Sequence, residues 1–264
     1  MSQTPALDNT PRSRRIIQTV CDLRRGELVN SRVLDLGCAH GQYALELARR
    51  GATAIGIEGR AEWLKQANSS KLGLRLSNVD FVQDDVRRVS AAKYGTFEVV
   101  LCLGLLYHLD APDVFELLLE ISTMCTDFTI IDTQIAMRPE TLREWHNEKY
   151  WGFLYQEHPP SSTIEAKLAS LGASLDNEQS FWLTRSSLLN VLRHVGFTSV
   201  LECRNPIDNM YEHGEFKLHA DYVTLVAVKG RPVGDFFGAN PALQREENWP
   251  ENPGDYFLKR PWSR

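Results

Sequence analysis

Cysteine is scarce and unpatterned in this chain of 264 residues. There are five, and no two form a Cys-x-x-Cys pair. Cys21, Cys38, Cys102, Cys125 and Cys203 therefore suggest neither a disulfide framework nor a zinc site. Cys102 and Cys203 lie in apolar stretches, where a thiol packs as a small hydrophobe. A basic surplus is also missing: 29 Lys and Arg face 34 Asp and Glu, for a formal charge of -5. That balance disfavours a dedicated nucleic-acid binder, although it leaves room for a local basic patch. Long apolar runs are missing too. The longest, around Val99 to Leu109, is broken by Gly104 and His108 and falls short of the roughly 20 residues a membrane helix needs. Met1 to Thr10 is polar, with no apolar signal core. There is no internal repeat or low-complexity tract. These absences lead us to expect a soluble cytoplasmic protein in a reducing compartment.

What is present is ordinary for a globular domain: 43% hydrophobic and 24% charged residues. A chain of this size buries roughly three quarters of its unfolded surface and needs no covalent staple. Pro11 to about Leu28 reads as an amphipathic helix through Ile16, Ile17, Val20 and Leu23, with Arg12, Arg14, Arg15, Arg24 and Arg25 expected on a solvated face. Apolar strands then alternate with helices. Strands are expected at Arg32–Leu36, Thr53–Ile57, Val79–Gln83, Phe97–Leu103 and Asp127–Thr133. Helices are expected at Gln42–Arg50, Ala61–Leu72 and Asp113–Met124. Strands apolar throughout and spaced by helices imply a parallel sheet covered on both faces. The rhythm breaks over 135–183, an aromatic and helical insertion. It resumes with Thr184 as N-cap of a helix over Ser187–His194. Two last strands, Phe197–Glu202 and Tyr222–Val228, form an antiparallel pair. The organisation read is an N-terminal segment and helix over 1–29, a main α/β domain over 30–230 that contains the insertion, and an irregular tail over 231–264.

The stretch from Val33 to Tyr43 carries the most information. An apolar strand runs into a small-residue turn, Gly37-Cys38-Ala39-His40-Gly41, and opens a helix. Such a turn brings backbone N–H groups and a helix N-terminus close to a ligand. Glu58 ends the next strand, some 20 residues on, where a carboxylate can accept from both ribose hydroxyls of an adenosine. Asp84-Asp85 ends the third, where a carboxylate can accept from an adenine amino group. Taken singly, each of these acids also suits a helix cap or a solvated loop. Three of them in succession at the carboxyl edge of a parallel sheet point to a ligand there. The turn lacks the third glycine of a dinucleotide fingerprint, and Asp35 would repel a pyrophosphate. It suits a cationic ligand, a sulfonium or an amine, directly or through water.

Asp35-Leu36-Gly37-Cys38-Ala39-His40-Gly41, Glu58, Asp84-Asp85 and Cys102-Leu103-Gly104-Leu105-Leu106-Tyr107-His108 resemble the successive motifs of class I S-adenosylmethionine-dependent methyltransferases. The resemblance covers about residues 30–230. Ala39 departs from it, standing where the family most often has a second glycine, so slightly altered loop geometry is expected. The resemblance implies a Rossmann-like, doubly wound, seven-stranded and mostly parallel sheet with the last strand antiparallel. It implies S-adenosyl-L-methionine as cofactor. Asp35, Gly37 and Gly41 would surround its methionine part, Glu58 its ribose and Asp84 or Asp85 its adenine. Cys38, Ala39, Gly59, Val86, Leu103 and Gly104 complete the expected cofactor set. Leu105 to His108 and Phe181 to Phe197 are more loosely similar to tRNA wobble-uridine methyl and carboxymethyl transferases.

Methyl transfer from a sulfonium is an in-line displacement with a neutral leaving group, so alignment and a base are what a protein supplies. Tyr107 and His108 follow the fourth strand and are the catalytic candidates, His108 because imidazole titrates near neutrality. A structural role is the alternative for each. His40, Asp132, Trp145, Tyr150, Trp151 and Tyr155 are candidate acceptor contacts, the aromatics as part of a water-excluding lid; at near-helical spacing, Trp145, Tyr150 and Trp151 also suit a packing face. His213, Glu215, His219 and Asp221 match no common ligand spacing, and no metal is expected. The expected activity is methylation of an oxygen or nitrogen of a small molecule. The alternatives are an RNA methyltransferase and a non-catalytic S-adenosylmethionine-binding regulatory or scaffold protein. Partnership with nucleic acid or membrane is not expected, and the oligomeric state is not legible.

Overall fold

The computed structural model describes residues 10–203 and 222–231. The cluster from His213 to Asp221 and the tail beyond Arg231 lie outside the described residues. In chain order the elements are α1 (Pro11–Leu23), β1 (Arg32–Leu36), α2 (Gln42–Arg49), β2 (Thr53–Glu58), α3 (Ala61–Leu74), β3 (Val79–Gln83), α4 (Ala91–Tyr94), β4 (Phe97–Leu103), α5 (Asp113–Met124), β5 (Cys125–Gln134), β6 (Thr141–Trp145), β7 (Glu148–Gln156), α6 (Ile164–Ala169), β8 (Gln179–Leu183), α7 (Arg185–His194), β9 (Ser199–Cys203) and β10 (Tyr222–Val228).

Seven strands form one sheet in the order β3-β2-β1-β4-β5-β10-β9. The pairs from β3 through β5 are parallel, and β10 runs antiparallel to both β5 and β9. The strand order turns back between β1 and β4. A crevice opens at such a switch point, beyond the carboxyl ends of the strands. Continuous apolar runs such as Phe97–Leu103 require cover on both faces, and two buried clusters supply it. One, with Ile16, Val20, Leu45, Leu47 and Phe128, packs α1 and α2 on one face. The other, with Phe115, Leu118, Leu188, Val191 and Phe197, packs α5 and α7 on the opposite face.

The insertion departs from the helical expectation. It is a three-stranded antiparallel sheet, β6-β7-β8, with one short helix, α6. The aromatics read at helical spacing stand on strands instead. Strands were favoured here because β7, rich in Tyr, Trp and Phe, has neighbours on both sides to pair with. Thr184 is the N-cap of α7, accepting from the Ser187 amide. The first helix stops at Leu23, several residues short of the expected end.

Candidate functional site

The carboxyl ends of β1, β2, β3 and β4 meet in one cleft. It encloses about 710 Å³ of empty space, counting its open mouth. Of the candidates read from the sequence, Gly37, Ala39, Glu58, Gly59, Asp85, Val86, Gly104 and His108 line it. Arg60, Trp63, Arg87 and Leu105 also line it, and sequence reasoning missed them.

The turn after β1 pins Glu58. Ala39 holds a left-handed φ of 47°, which glycine would adopt without strain. In that conformation its amide donates to Glu58 Oε2 at 3.0 Å, and the Arg60 amide donates to Oε1 at 2.8 Å. The carboxylate is thereby aimed into the cleft wall with lone pairs to spare. Asp35 lies behind this turn, 2% exposed. Its Oδ2 is buried without a hydrogen-bond partner. Burial pushes the acid up to about 7, against the pull of the Ala44 amide.

Other expected cofactor residues are placed elsewhere. Asp84 turns away from the cleft: its Oδ2 accepts from Lys93 Nζ and Tyr94 Oη, both at 2.6 Å. Asp85 stays at the cleft, but its carboxylate accepts from the Arg87 amide and guanidinium. Cys38 is buried, with its Sγ facing Gly56 across to β2, not the cleft. Gly41 is set by packing, since a Cβ there would collide with the Phe81 ring. Leu103 is not part of the lining either.

The acceptor candidates also divide. Asp132 is fully buried and is neutralised by Arg12 from α1; Thr224 Oγ1 donates to it at 2.7 Å. Arg12 was expected on a solvated face; instead Nη2 also reaches Tyr222 Oη at 3.1 Å. Trp145 stacks on Phe115 and donates to Glu116, while Tyr150 is 2% exposed and its hydroxyl meets His194 Nδ1 at 2.9 Å. Both are core. Trp151 is fixed by its backbone, its amide donating to Ser187 Oγ. His40 pairs with Gln42 and rests near Trp63, outside the lining. Tyr155 stacks on Trp182 at 4.5 Å, and Trp182 meets Tyr107 edge-on at 6.2 Å. Tyr107 touches the His108 ring at 4.3 Å. These rings form one aromatic cluster beside the end of β4, and of them only His108 lines the cleft; Tyr107, Tyr155 and Trp182 do not.

One wall of the cleft is a strap from the insertion, residues 171–177. Arg60 Nη2 donates to the carbonyls of Ser170, Ala173 and Ser174, and Nε donates to that of Leu168. Asp176 pairs with Arg87 at 2.9 Å, and Asn177 donates to the His108 carbonyl. Leu175 leans on Gly59, where a Cβ would lie 2.5 Å from Leu175 Cδ1. No sequence signal marked this strap, because its contacts with His108, Arg87 and Arg60 span 69 to 114 residues.

Among the described residues no group of three or more His, Cys, Asp or Glu is placed to hold a metal ion. No helix among them is long and apolar enough to cross a membrane. The residues present fit S-adenosylmethionine, the cofactor that the sequence resemblance implies. The orphaned Asp35 oxygen suits a cationic group, Glu58 keeps acceptor capacity for paired hydroxyls, and Gly104 leaves its backbone open to close approach.

This is the fold of the class I S-adenosylmethionine-dependent methyltransferases, and residues 33–127 match the family model of the methyltransferase domain. Over 89 residues the chain is 37% identical to the ubiquinone biosynthesis O-methyltransferase of Escherichia coli, covering 34% of this chain. The chain spans only 37% of the length of that relative. Among solved structures, the N-terminal domain of EvdMO1 with SAH (S-adenosylhomocysteine) bound is similar with a TM-score of 0.64 at 24% identity, over 85% of this chain and 83% of that one. The 1,6-didemethyltoxoflavin-N1-methyltransferase of Burkholderia thailandensis, solved with 1,6-didemethyltoxoflavin and S-adenosylhomocysteine, is similar with a TM-score of 0.53 at 19% identity, over 83% of this chain and 79% of that one. At these identities the structures establish a shared fold.

Proposed function

We propose that this protein transfers a methyl group from S-adenosylmethionine to an oxygen or nitrogen of a small-molecule acceptor. The observation that carries the reading is the convergence of Gly37, Glu58, Asp85, Val86 and Gly104 with His108 in a single cleft. Named small-molecule methyltransferases among the similar proteins support the acceptor class. When bound, the cofactor supplies an electrophilic methyl on a sulfonium. Glu58 would hold the ribose hydroxyls, the segment from Asp85 to Val86 would border the adenine, and Asp35 would face the amino-acid end, directly or through water. His108 would take the acceptor proton as the new bond forms, and Tyr107, packed on its ring, would brace it. The strap would keep water out.

The test is His108→Ala against wild type on a panel of phenolic, hydroxy and heterocyclic-amine acceptors. Turnover should fall at least about a hundredfold, within the range of a general base, with S-adenosylhomocysteine affinity kept. Undiminished turnover would remove His108 from the chemistry. Calorimetry showing no binding of S-adenosylhomocysteine by well-folded protein would remove the whole reading.

A further inference from the structure

Glu157 follows β7 in the insertion and has no place in the motifs that mark the cleft. Its side chain is 1% exposed. A carboxylate buried so fully is costly unless hydrogen bonds satisfy it, and this one is satisfied from three directions. His108 Nδ1 lies 3.0 Å from Oε1 and 3.1 Å from Oε2. Ser180 Oγ donates to Oε1 at 2.9 Å, and the Ser174 amide donates to Oε2 at 2.9 Å. Burial pushes this carboxyl up, but the bonds from His108, Ser174 and Ser180 outweigh it and hold the acid below its usual range. It is therefore an anion at neutral pH.

An anion against Nδ1 dictates which nitrogen of a neutral imidazole keeps the proton. Nδ1 must donate, so the lone pair falls to Nε2 on the opposite edge of the ring. His108 itself lines the cleft. Its titratable ring neighbour is Tyr107, and the charged side chain coupled to Glu157 from β2's end is Arg60. We propose that Glu157 is a positioning residue: it fixes His108 in the Nδ1–H tautomer and presents Nε2 as the proton acceptor for the substrate. Through the Ser174 amide the same carboxylate also senses the strap, so the base is oriented when the strap is seated. This rests on reading His108 as the base.

The test is a pH titration of the full chain labelled with ¹⁵N-histidine and followed by nuclear magnetic resonance, with the His108 signals assigned by His108→Gln. In wild type the neutral ring should carry its proton on Nδ1. In Glu157→Leu, which cannot accept from Nδ1, the neutral ring should shift towards the Nε2–H form. Ser180→Ala, which removes one bond to Glu157 and leaves the ring contact, should keep the Nδ1–H form. A neutral wild-type ring protonated on Nε2 overturns the proposal, and that measurement needs no variant to fold. A neutral ring still fully protonated on Nδ1 in folded Glu157→Leu overturns it as well. Calorimetry with S-adenosylhomocysteine on the same wild-type sample tests the methyltransferase reading separately, so one idea can fail while the other stands.

Discussion

Asp35 should make the free protein less stable as pH rises, and the size of the effect follows from where it sits. In the unfolded chain it titrates near 3.8; in the fold, burial with one orphaned oxygen pushes it up to about 7. Between those values the folded state binds more protons than the unfolded state, so stability falls with rising pH across that window. The full cost above pH 7 is the difference of 7 and 3.8 multiplied by about 1.36 kcal/mol per unit, or about 4 kcal/mol. Asp35→Asn removes the charge but leaves a buried amide with an unmet donor, a penalty of about 1–3 kcal/mol that does not depend on pH. The informative quantity is therefore the difference between variant and wild type as a function of pH. Urea unfolding of the ligand-free protein between pH 5 and pH 8 should show the variant gaining on wild type by about 3 kcal/mol. Parallel stability curves for the two proteins would refute the reasoning. S-adenosylmethionine, bringing a cation to this carboxylate, should bind wild type more tightly as pH rises towards 7, and the variant should lose that dependence.

Three further outcomes are expected. Glu58→Ala should weaken S-adenosylhomocysteine binding by about 1–3 kcal/mol through lost charge-assisted hydrogen bonds, measured by calorimetry; unchanged affinity would remove Glu58 from the ribose. Asp84→Asn should leave that affinity unchanged, because its carboxylate is engaged by Lys93 and Tyr94, and a large loss would show that it reaches the ligand after all. Ala39→Gly should raise the denaturation midpoint by relieving about 1–2 kcal/mol of left-handed backbone strain; a loss of stability would mean that the methyl group packs usefully.

The sheet was legible from the sequence because its code is local. A strand apolar throughout, such as Phe97–Leu103, needs cover on both faces, and the helices that give cover follow in the chain. Glycine at Gly37 and the acid at Glu58 were legible for the same reason, as strand-end residues whose position follows from strand length. Asp84 and Asp85 show the limit. They are adjacent and chemically alike, and only the neighbours Lys93, Tyr94 and Arg87 decide which one remains at the cleft. The insertion was misread because aromatic residues suit either period. Pairing of β7 with β6 and β8, which no short window contains, settles it as sheet.

The sequence alone thus determined the alternating architecture and the placing of Gly37 and Glu58 at the carboxyl edge of the sheet, since each depends on residues close together in the chain. Tertiary structure decided the rest. It set Arg12 on Asp132 across 120 positions, Glu157 on His108 across 49, and Arg60 beneath a strap more than a hundred residues further on. Such pairings arise because a buried charge must find a partner, and which partner it finds depends on how separate segments pack together.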